Sequence, residues 1–306
     1  MPKTDVLTAD SVFGAGAFPL RVQNAQHHDS STRPHGHEFD ELVLIMGGSG
    51  EHVTSHTVCQ IDPGDVFFIS RDMTHHYQNT VDLDVINVLF DVGALRLQTR
   101  DLHDVPGHHV LFHLEPQSRS AQQFRGRLTL SPEQRMRAGH MVEVLRAEID
   151  GRAHGYRFAS CALLMQLISY LSRCYVEKPS PEQRSLLCMG EVLSYIERNY
   201  SAPVSVADLA ALAAMSESSL NRAFQRLVGK APVEYVIGVR LDKAADLLRN
   251  TDRHITEIGL ACGFSDGNYF SRRFRRRMGC SPRAYRQDMR ASRDGAHVNG
   301  TSLSTL

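Results

Sequence analysis

Residues Ile255–Arg286 read ITEIGLACGFSDGNYFSRRFRRRMGCSPRAYR, and the same layout occurs once upstream. Matching positions lie 49 residues apart before the turn and 50 apart after it, as Phe270 does from Leu220. A period near 50 indicates one structural unit used twice. Each copy has a short helix, a tight turn, a second helix with arginines, and Gly and Pro as stop signals. This order predicts two helix-turn-helix units, and therefore a protein that reads two stretches of DNA major groove.

The composition is that of an ordinary globular protein. The 306 residues are enough for two domains with a core each, and 42% are hydrophobic and 22% charged. We find no apolar run of about 18 residues and no secretory signal. The six cysteines contain no CxxC pair, which favours free thiols over disulfides or a zinc ribbon. We therefore expect a cytoplasmic protein with no membrane partner.

A net charge of zero conceals an asymmetry between the two halves. Residues 184–293 hold 18 Lys and Arg against 11 Asp and Glu, so the remainder of the chain is acidic to the same extent. A basic block joined to an acidic one indicates that one domain meets a polyanion and that the other has a different task.

The basic half, residues 186–290, is predicted to be entirely helical. Ser205 and Ser216 are the predicted N-caps of the two helices of the first motif. The connector before the second motif has about 17 residues and a length of ~26 Å, which approaches the ~34 Å of one turn of B-DNA. The expected helices are Ser185–Asn199, Val206–Ala213, Glu217–Val228, Pro232–Arg249, Thr256–Ala261 and Asp266–Met278.

The apolar positions of the second helix in each motif fix which face points outward. Leu220, Phe224 and Leu227 face the core in the first motif, as Phe270 and Phe274 do in the second. Arg and Asn can bond base edges bidentately, while further arginines suit phosphates. A merely solvated basic face is disfavoured, because residues 272–277 contain five arginines and no acid. The predicted DNA contacts are Ser218, Asn221, Arg222, Gln225, Asn268, Arg272, Arg273 and Arg276.

The acidic half begins with residues 1–130, where short β-rich runs broken by Gly and Pro predict a β-barrel or sandwich. Gly47-Gly48-Ser49-Gly50 is interpreted as a turn between strands rather than a phosphate loop, because no helix start follows it. The expected strands are Leu42–Met46, His52–Thr57, Val66–Ile69 and Val85–Phe90.

Residues 131–176 change to a helical period, with Ser131 as N-cap and Pro132 at the first position. Phe158–Tyr175 is apolar nearly all round, so it is buried either in the core or against a second subunit. Residues 177–185 are polar with two prolines and predict a linker. Residues 291–306 predict a disordered tail.

The helical half resembles the AraC/XylS family of bacterial transcription regulators across Met189–Gln287. The family signature falls on Gly263-Phe264-Ser265-Asp266, Tyr269-Phe270-Ser271-Arg272, Phe274-Arg275, Gly279, Ser281-Pro282 and Tyr285-Arg286. The resemblance implies binding to double-stranded promoter DNA in response to a small molecule held by the other domain, and contact with RNA polymerase if the protein is an activator. It also implies dimerisation. The base-reading positions that it implies are Ser218, Asn221, Arg222, Gly267, Asn268 and Arg272, of which Gly267 has no side chain to read with.

In the acidic half, His35-Gly36-His37 with Glu41 and Gly48, followed by Gly64 and His75, resembles the cupin motifs. There are departures, since no Gly precedes His35 by five residues and Ser70 and Asp72 replace Pro and Gly. The rhamnose regulators of the RhaS/RhaR type have a similar pattern, which implies a carbohydrate effector. The resemblance points to effector contacts from His35, His37, Glu41 and His75, with Arg33 and Tyr77 as weaker candidates.

Three functions remain open from the sequence. The favoured one is a ligand-responsive regulator of α+β fold, with a cupin-like barrel, following helices and a double helix-turn-helix domain; it has no catalytic residue and no cofactor. The second is a metal-dependent cupin enzyme with a divalent ion on His35, His37, Glu41 and His75. The third is a constitutive DNA-binding dimer. The other histidines, including 27, 28, 76, 103, 108, 109 and 113, are interpreted as solvated or core residues without a cluster.

Overall fold

The computed structural model describes residues 5–27, 32–55, 57–71, 73–95, 97, 100–116, 127–177 and 179–298. It consists of two compact units, Met1–Ser194 and Tyr195–Leu306. The first is rich in β-strands and the second is helical, so the predicted α+β class is confirmed. Asp72 and His28, named in the sequence patterns, lie outside the described residues.

One sheet organises the first unit. Alternate positions of the central strands fill one interior with Val43, Ile45, Phe67, Ile69 and Val85. The elements are β1 (Asp5–Leu7), α1 (Ala9–Phe13), β2 (Leu20–His27), β3 (His35–His37), β4 (Asp40–Thr54), β5 (Val58–Ile61), β6 (Asp65–Ile69), β7 (His75–Phe90) and later β8 (Leu128–Thr129). The described strands follow the order β1-β3-β7-β4-β6-β8, with β2 paired to β7 and β5 paired to β4.

The glycine-rich segment is not a turn, and that prediction is wrong. β4 passes through it and stays paired with β7 from Asp40 opposite Phe90 to Thr54 opposite His75, with register shifts on the way. The irregularity requires glycine at position 48, where φ is +70° and an added Cβ would lie 2.1 Å from the Asp82 carbonyl oxygen. Glycine therefore permits a β-bulge here instead of ending the strand.

After the sheet the first unit becomes helical. Ser131 forms a capping box with Gln134, as its position before Pro132 predicts. Leu164 and Leu171 bury one side of α5, while Phe158 near its start is 83% exposed. The helices are α2 (Val92–Leu95), α3 (Pro106–His109), which continues into a π-helical turn at Val110–Leu114, then α4 (Pro132–Gly151) and α5 (Tyr156–Glu177).

The predicted linker at 177–185 is largely helix, because α6 (Pro181–Asn199) begins inside it. The Ser180 hydroxyl accepts from the Gln183 amide at 3.2 Å, and the Gln183 side chain accepts from the Ser180 amide at 2.6 Å. This reciprocal cap starts a helix where the prolines suggested a linker. The two units instead divide between Ser194 and Tyr195.

The second unit contains the predicted helices to within a residue or so at most ends. Ser205 and Ser216 cap the helices that begin at Val206 and Glu217 through their hydroxyls, as predicted. Phe270 and Phe274 pack with Leu241 and Leu248 in one core. The helices are α7 (Val206–Leu212), α8 (Glu217–Leu227), α9 (Pro232–Asn250), α10 (Ile255–Ala261), α11 (Gly267–Met278) and α12 (Pro282–Val298).

The structure also bears on three smaller expectations, which concern the C-terminal tail, the cysteines and membrane helices. α12 extends to Val298, so the prediction of disorder from residue 291 is wrong up to that point, and residues 299–306 lie outside the described part. Residues 282–290 contain the helix formers Ala, Arg, Gln and Met, and the helix that they start continues through Ala291 and Ala296. All six cysteines are free thiols. No helix within the described ranges has both the length and the apolar character needed to cross a bilayer.

Candidate DNA-binding surface and effector site

The helix α11 separates an apolar face from a basic one. Phe270 and Phe274 are fully buried, and Asp266 caps the helix by accepting from the Asn268 amide at 2.8 Å. Asn268, Arg272, Arg275 and Arg276 are exposed on the other side. None of these three arginines forms an ion pair with a residue in the described part of the chain. The exposed face is therefore cationic and available to a polyanion.

Two other arginines of α11 are bound to α9 instead. Arg277 donates from Nε and Nη2 to the two carboxylate oxygens of Asp242, at 2.8 and 2.6 Å. Arg273 pairs with Glu234, and the hydrogen bond from Arg273 holds the pKa of that carboxyl below its usual value. Arg273 was predicted as a DNA contact, but the structure places its guanidinium on a neighbouring helix.

The corresponding helix α8 has the same two-sided layout with fewer charges. Leu220, Phe224 and Leu227 are buried as predicted. Asn221 donates to the Glu217 carbonyl at 2.9 Å, and Arg222 donates to the Ser219 hydroxyl at 3.1 Å. The four predicted contacts Ser218, Asn221, Arg222 and Gln225 are all exposed.

In the first unit, Glu41 lies between two imidazoles in the sheet interior. Its Oε2 is 3.1 Å from His37 Nε2 and 3.5 Å from His75 Nε2, and all three residues are at most 3% exposed. The other ring nitrogen of His37 lies 2.6 Å from the Phe39 carbonyl oxygen. Because a carbonyl only accepts, His37 Nδ1 has the proton and Nε2 faces Glu41.

The charge states within this cluster follow from burial and mutual contact. Burial raises the pKa of Glu41, but the close contacts with His37 and His75 outweigh it and hold the pKa far below its usual range. Burial lowers the pKa of His37, yet the contact with Glu41 leaves it above 6.5. Burial dominates at His75 and lowers its pKa. These shifts favour the protonated form at His37 and the ionised form at Glu41, and they disfavour a charge on His75.

Comparison with known proteins finds a family model that matches each of the two regions. A model of the AraC-like ligand binding domain matches residues 18–168, and one of a helix-turn-helix domain matches residues 209–288. The transcriptional activator RhaR of Yersinia pestis bv. Antiqua (strain Angola) is 30% identical over 274 residues, covering 88% of this chain and 89% of RhaR. The chain belongs to the AraC family.

Two further relatives of this AraC-family chain are similar over different extents. The transcriptional activator RhaS of Klebsiella pneumoniae (strain 342) is 29% identical, covering 92% of this chain and 97% of RhaS. A solved AraC-type regulator structure from Chromobacterium violaceum is 36% identical, covering 33% of this chain and 91% of its own, with a TM-score of 0.33. The family match confirms the predicted resemblance and the predicted function, a helix-turn-helix transcription regulator with a ligand-binding domain.

The structure of this AraC-family chain brings most predicted effector residues together. The His35 ring lies 4.5 Å from that of His75, and the buried Tyr77 ring lies 6.3 Å from it. Arg33 is exposed, and its carbonyl oxygen is 3.0 Å from His35 Nδ1. The five residues His35, His37, Glu41, His75 and Tyr77 thus form one cluster, and only the backbone of Arg33 reaches it.

One member of the cluster is absent from the prediction. His52 is 1% exposed, and its Nε2 lies 3.3 Å from His75 Nδ1. His52 and Glu41 are eleven positions apart on β4, so strict alternation would place them on opposite faces. The register shifts between Ile45 and Glu51 change that phase. The glycines at 47, 48 and 50 mark the place of those bulges, but glycines also mark turns, so the sequence does not distinguish the two.

Proposed function

We propose that this AraC-family chain is a promoter-binding activator controlled by a carbohydrate bound at the cluster around His37 and Glu41. The observation that supports this most is the cluster itself, a set of four imidazoles, a carboxylate and a phenol at one place in the ligand-binding unit. Buried polar groups are costly unless they are matched, so such a set favours a ligand with many hydroxyls.

The cluster has an inner and an outer end. His37, Glu41 and His75 are at most 3% exposed, whereas His35 is half-buried and Arg33 is exposed. A sugar would approach from the outer end and would exchange the contacts of His35 for hydroxyl contacts. The inner contact between His37 and Glu41 would then serve to order the donors and acceptors that the sugar meets.

For DNA we propose two classes of contact. Arg272 and Asn268 in α11, and Arg222, Asn221, Ser218 and Gln225 in α8, meet base edges, since all are exposed on the faces opposite the cores. Arg276, together with Arg275, meets phosphates. Arg273 acts indirectly, by fixing α11 through its ion pair with Glu234.

The remaining parts of the proposal follow the family. RhaR and RhaS are named transcriptional activators, and we propose that this chain likewise activates through RNA polymerase. We place it in the bacterial cytoplasm as a homodimer without catalytic activity. The exposed Phe158 at the start of α5 is the residue on which we would centre a test of self-association.

The effector is testable with a thermal-shift screen of the full chain against aldoses, deoxy sugars and uronic acids. A ligand at about 100 times its Kd adds ~2.7 kcal/mol to the free energy of unfolding, which raises Tm visibly. We expect one sugar to act selectively, His35→Ala to abolish its effect, and His76→Ala to retain it. His76 is the matched control, because successive residues of β7 point to opposite faces.

Each outcome of this screen has a clear meaning. A flat panel, or equal responses from the two histidine variants, would contradict the carbohydrate assignment at this cluster. A sugar that binds without changing affinity for promoter DNA in a fluorescence anisotropy titration would support the constitutive dimer instead.

One observation favours a second candidate, a metal-dependent cupin. The donor atoms of His37, Glu41 and His75 lie within 4.8 Å of one another, and two imidazoles with one carboxylate suit a divalent ion with open positions. The contact from His37 Nδ1 to a backbone carbonyl orients Nε2 as metal ligands require. Elemental analysis decides between the candidates: iron, manganese or zinc in equimolar amount, lost in His37→Ala, would favour the enzyme.

A further inference from the structure

A second group of histidines lies in the first unit, separate from the cluster around Glu41. It consists of His108 and His109 at the end of α3 and His113 in the π-helical turn that follows. One ring nitrogen of each lies within 4.8 Å of the others. The ring centroids are 5.7 to 6.0 Å apart. The sequence pattern led us to interpret these residues as solvated or core histidines.

The backbone explains why three residues at these spacings meet. In an α-helix, residues four apart share a face, which places His109 beside His113 but directs His108 away. Here the Glu115 amide donates to the Val110 carbonyl, five residues earlier, so the helix is widened to a π turn. The wider turn brings His108, five residues before His113, to the same side. Such single π turns occur frequently at functional sites.

The surroundings hold two of the rings in defined states. His109 Nε2 donates to the His103 carbonyl at 2.8 Å, so in the neutral ring Nδ1 has the lone pair. His108 Nδ1 is buried and makes no hydrogen bond to a described residue. The His108 ring is 5% exposed and packs against the Phe112 ring, with the ring centroids 5.0 Å apart. His113 is exposed and leaves the group open to solvent.

We propose that His108, His109 and His113 bind a late first-row divalent ion, with Zn²⁺ as the main case. Three imidazoles with an open fourth position form a known type of zinc site. At Zn–N distances of 2.0–2.1 Å a tetrahedral ion holds its nitrogens about 3.3 Å apart, so the rings would move inward by about an ångström. The backbone hydrogen bond to His109 is the kind of outer contact that orients a ligand.

An ion here would act on the packing of three helices. An added Cβ at Gly107 of α3 would lie 2.0 Å from the Ser172 carbonyl oxygen of α5. One at Gly190 of α6 would lie 2.6 Å from the Pro106 carbonyl oxygen. The histidine segment is thus in close backbone contact with both helices, and α6 continues into the second unit. Metal binding would stabilise this packing, and this is a role beyond the proposed effector response.

The test uses Co²⁺ as a coloured substitute for Zn²⁺ on the full-length chain after treatment with a chelator. We expect one equivalent of Co²⁺ to give visible d–d bands of tetrahedral intensity, which Zn²⁺ displaces. His113→Asn should weaken this binding about 10-fold or more, while His140→Asn should not. His140 is the matched control, an exposed histidine on α4. Both changes are at exposed positions, so circular dichroism should show unchanged metal-free folds.

The cluster around Glu41 must be kept apart in this titration. His37→Gln removes a donor from that cluster. In the His37→Gln background, Co²⁺ should still give the tetrahedral bands, and a further His113→Asn substitution should still weaken them. The proposal is overturned if His113→Asn binds Co²⁺ as the wild type does, if the wild type shows no tetrahedral bands, or if the bands vanish with His37→Gln and not with His113→Asn. If His37→Gln does not fold, the difference in bound equivalents between wild type and His113→Asn decides the question.

Discussion

The two helix-turn-helix units share a backbone plan and differ in what fixes the second helix. Arg273 and Arg277 of α11 form ion pairs with Glu234 and Asp242 of α9. The positions 50 residues earlier in α8 are Ala223 and Leu227, which are 8% and 6% exposed. The first motif therefore uses apolar burial where the second motif uses charge. A sequence repeat preserves geometry while the contacts that maintain it diverge.

The turn within each motif likewise keeps the same geometry while its residues differ. The Ala214 and Met215 amides donate to the carbonyls of Ala211 and Ala210 at 3.0 and 2.9 Å. In the second motif Gly263 and Phe264 make the equivalent bonds to Leu260 and Gly259 at 2.9 and 3.0 Å. Both turns need a positive φ, +51° at Ala214 and +84° at Gly263. Only the second turn has glycine for it.

The largest expected effect comes from exchanging these two turn residues. A Cβ at Gly263 would lie 2.8 Å from the Ser201 carbonyl oxygen and 2.9 Å from that of Tyr200. We expect Gly263→Ala to lower the free energy of unfolding by about 2–4 kcal/mol, from the steric conflict and the positive φ together. Ala214→Gly relieves a left-handed alanine and should raise it by about 0.5–1 kcal/mol. Chemical denaturation of the full chain measures both.

The test is whether Gly263→Ala and Ala214→Gly change the free energy of unfolding in opposite directions. Equal and small losses in both variants would mean that close backbone approach does not distinguish the two turns. Gly267→Ala in α11 serves as control, because the nearest atom to an added Cβ there is 4.0 Å away. That variant should leave the stability unchanged or slightly increased.

The next effect concerns DNA affinity. We expect Arg272→Ala and Arg222→Ala each to weaken specific binding by about 1–3 kcal/mol and to relax specificity at one base position. The loss should be larger for Arg272, because Arg222 must give up its hydrogen bond to Ser219 before it meets a base. Fluorescence anisotropy at one fixed salt concentration, with specific and unrelated duplexes, separates the two variants.

Arg275, a proposed phosphate contact, gives a variant with which the two base-contact variants can be compared. Arg275→Ala should weaken both duplexes alike and reduce the salt slope by about 1. If Arg272→Ala behaved in this way too, its assignment to a base edge would be wrong. If neither variant changed affinity, α11 would not be the DNA-contacting helix.

The comparison also explains which features the sequence predicts. Serine caps and the phenylalanines of α11 depend on spacing within a few residues, so Ser205, Ser216, Phe270 and Phe274 are where the pattern predicts them. The partner of Arg273 is 39 residues away on another helix, and no local pattern records it. Surface arginines with and without partners therefore look identical in the sequence.

The sensor unit is less predictable for a related physical reason. Its strands follow from apolar runs, but the bulges in β4 are permitted by glycines that resemble turn residues. Those bulges decide that His52 joins Glu41. The histidines at 108, 109 and 113 meet because of one π turn, and hydrophobic periodicity contains no signal for that change of pitch. Backbone irregularities thus account for the site residues that the sequence did not indicate.

The smallest expected effect concerns the pH dependence of the ion pair between Arg273 and Glu234. The Arg273 hydrogen bond lowers the pKa of Glu234 in the folded chain. A lowered carboxyl pKa adds stability above the unfolded value of about 4.3, and this stability is lost as pH falls through the folded pKa.

Glu234 is half exposed in this pair, so the pair is worth at most about 1 kcal/mol and less at high salt. Glu234→Gln should thus lower Tm slightly at pH 7 in low salt and not at pH 3. A melting series across this range checks it, and the apolar contacts of Ala223 should give α8 no such dependence. A Tm difference that persisted at pH 3 would mean that Glu234 contributes by packing, and the contrast between charge and burial in the two helix-turn-helix motifs would fail at this position.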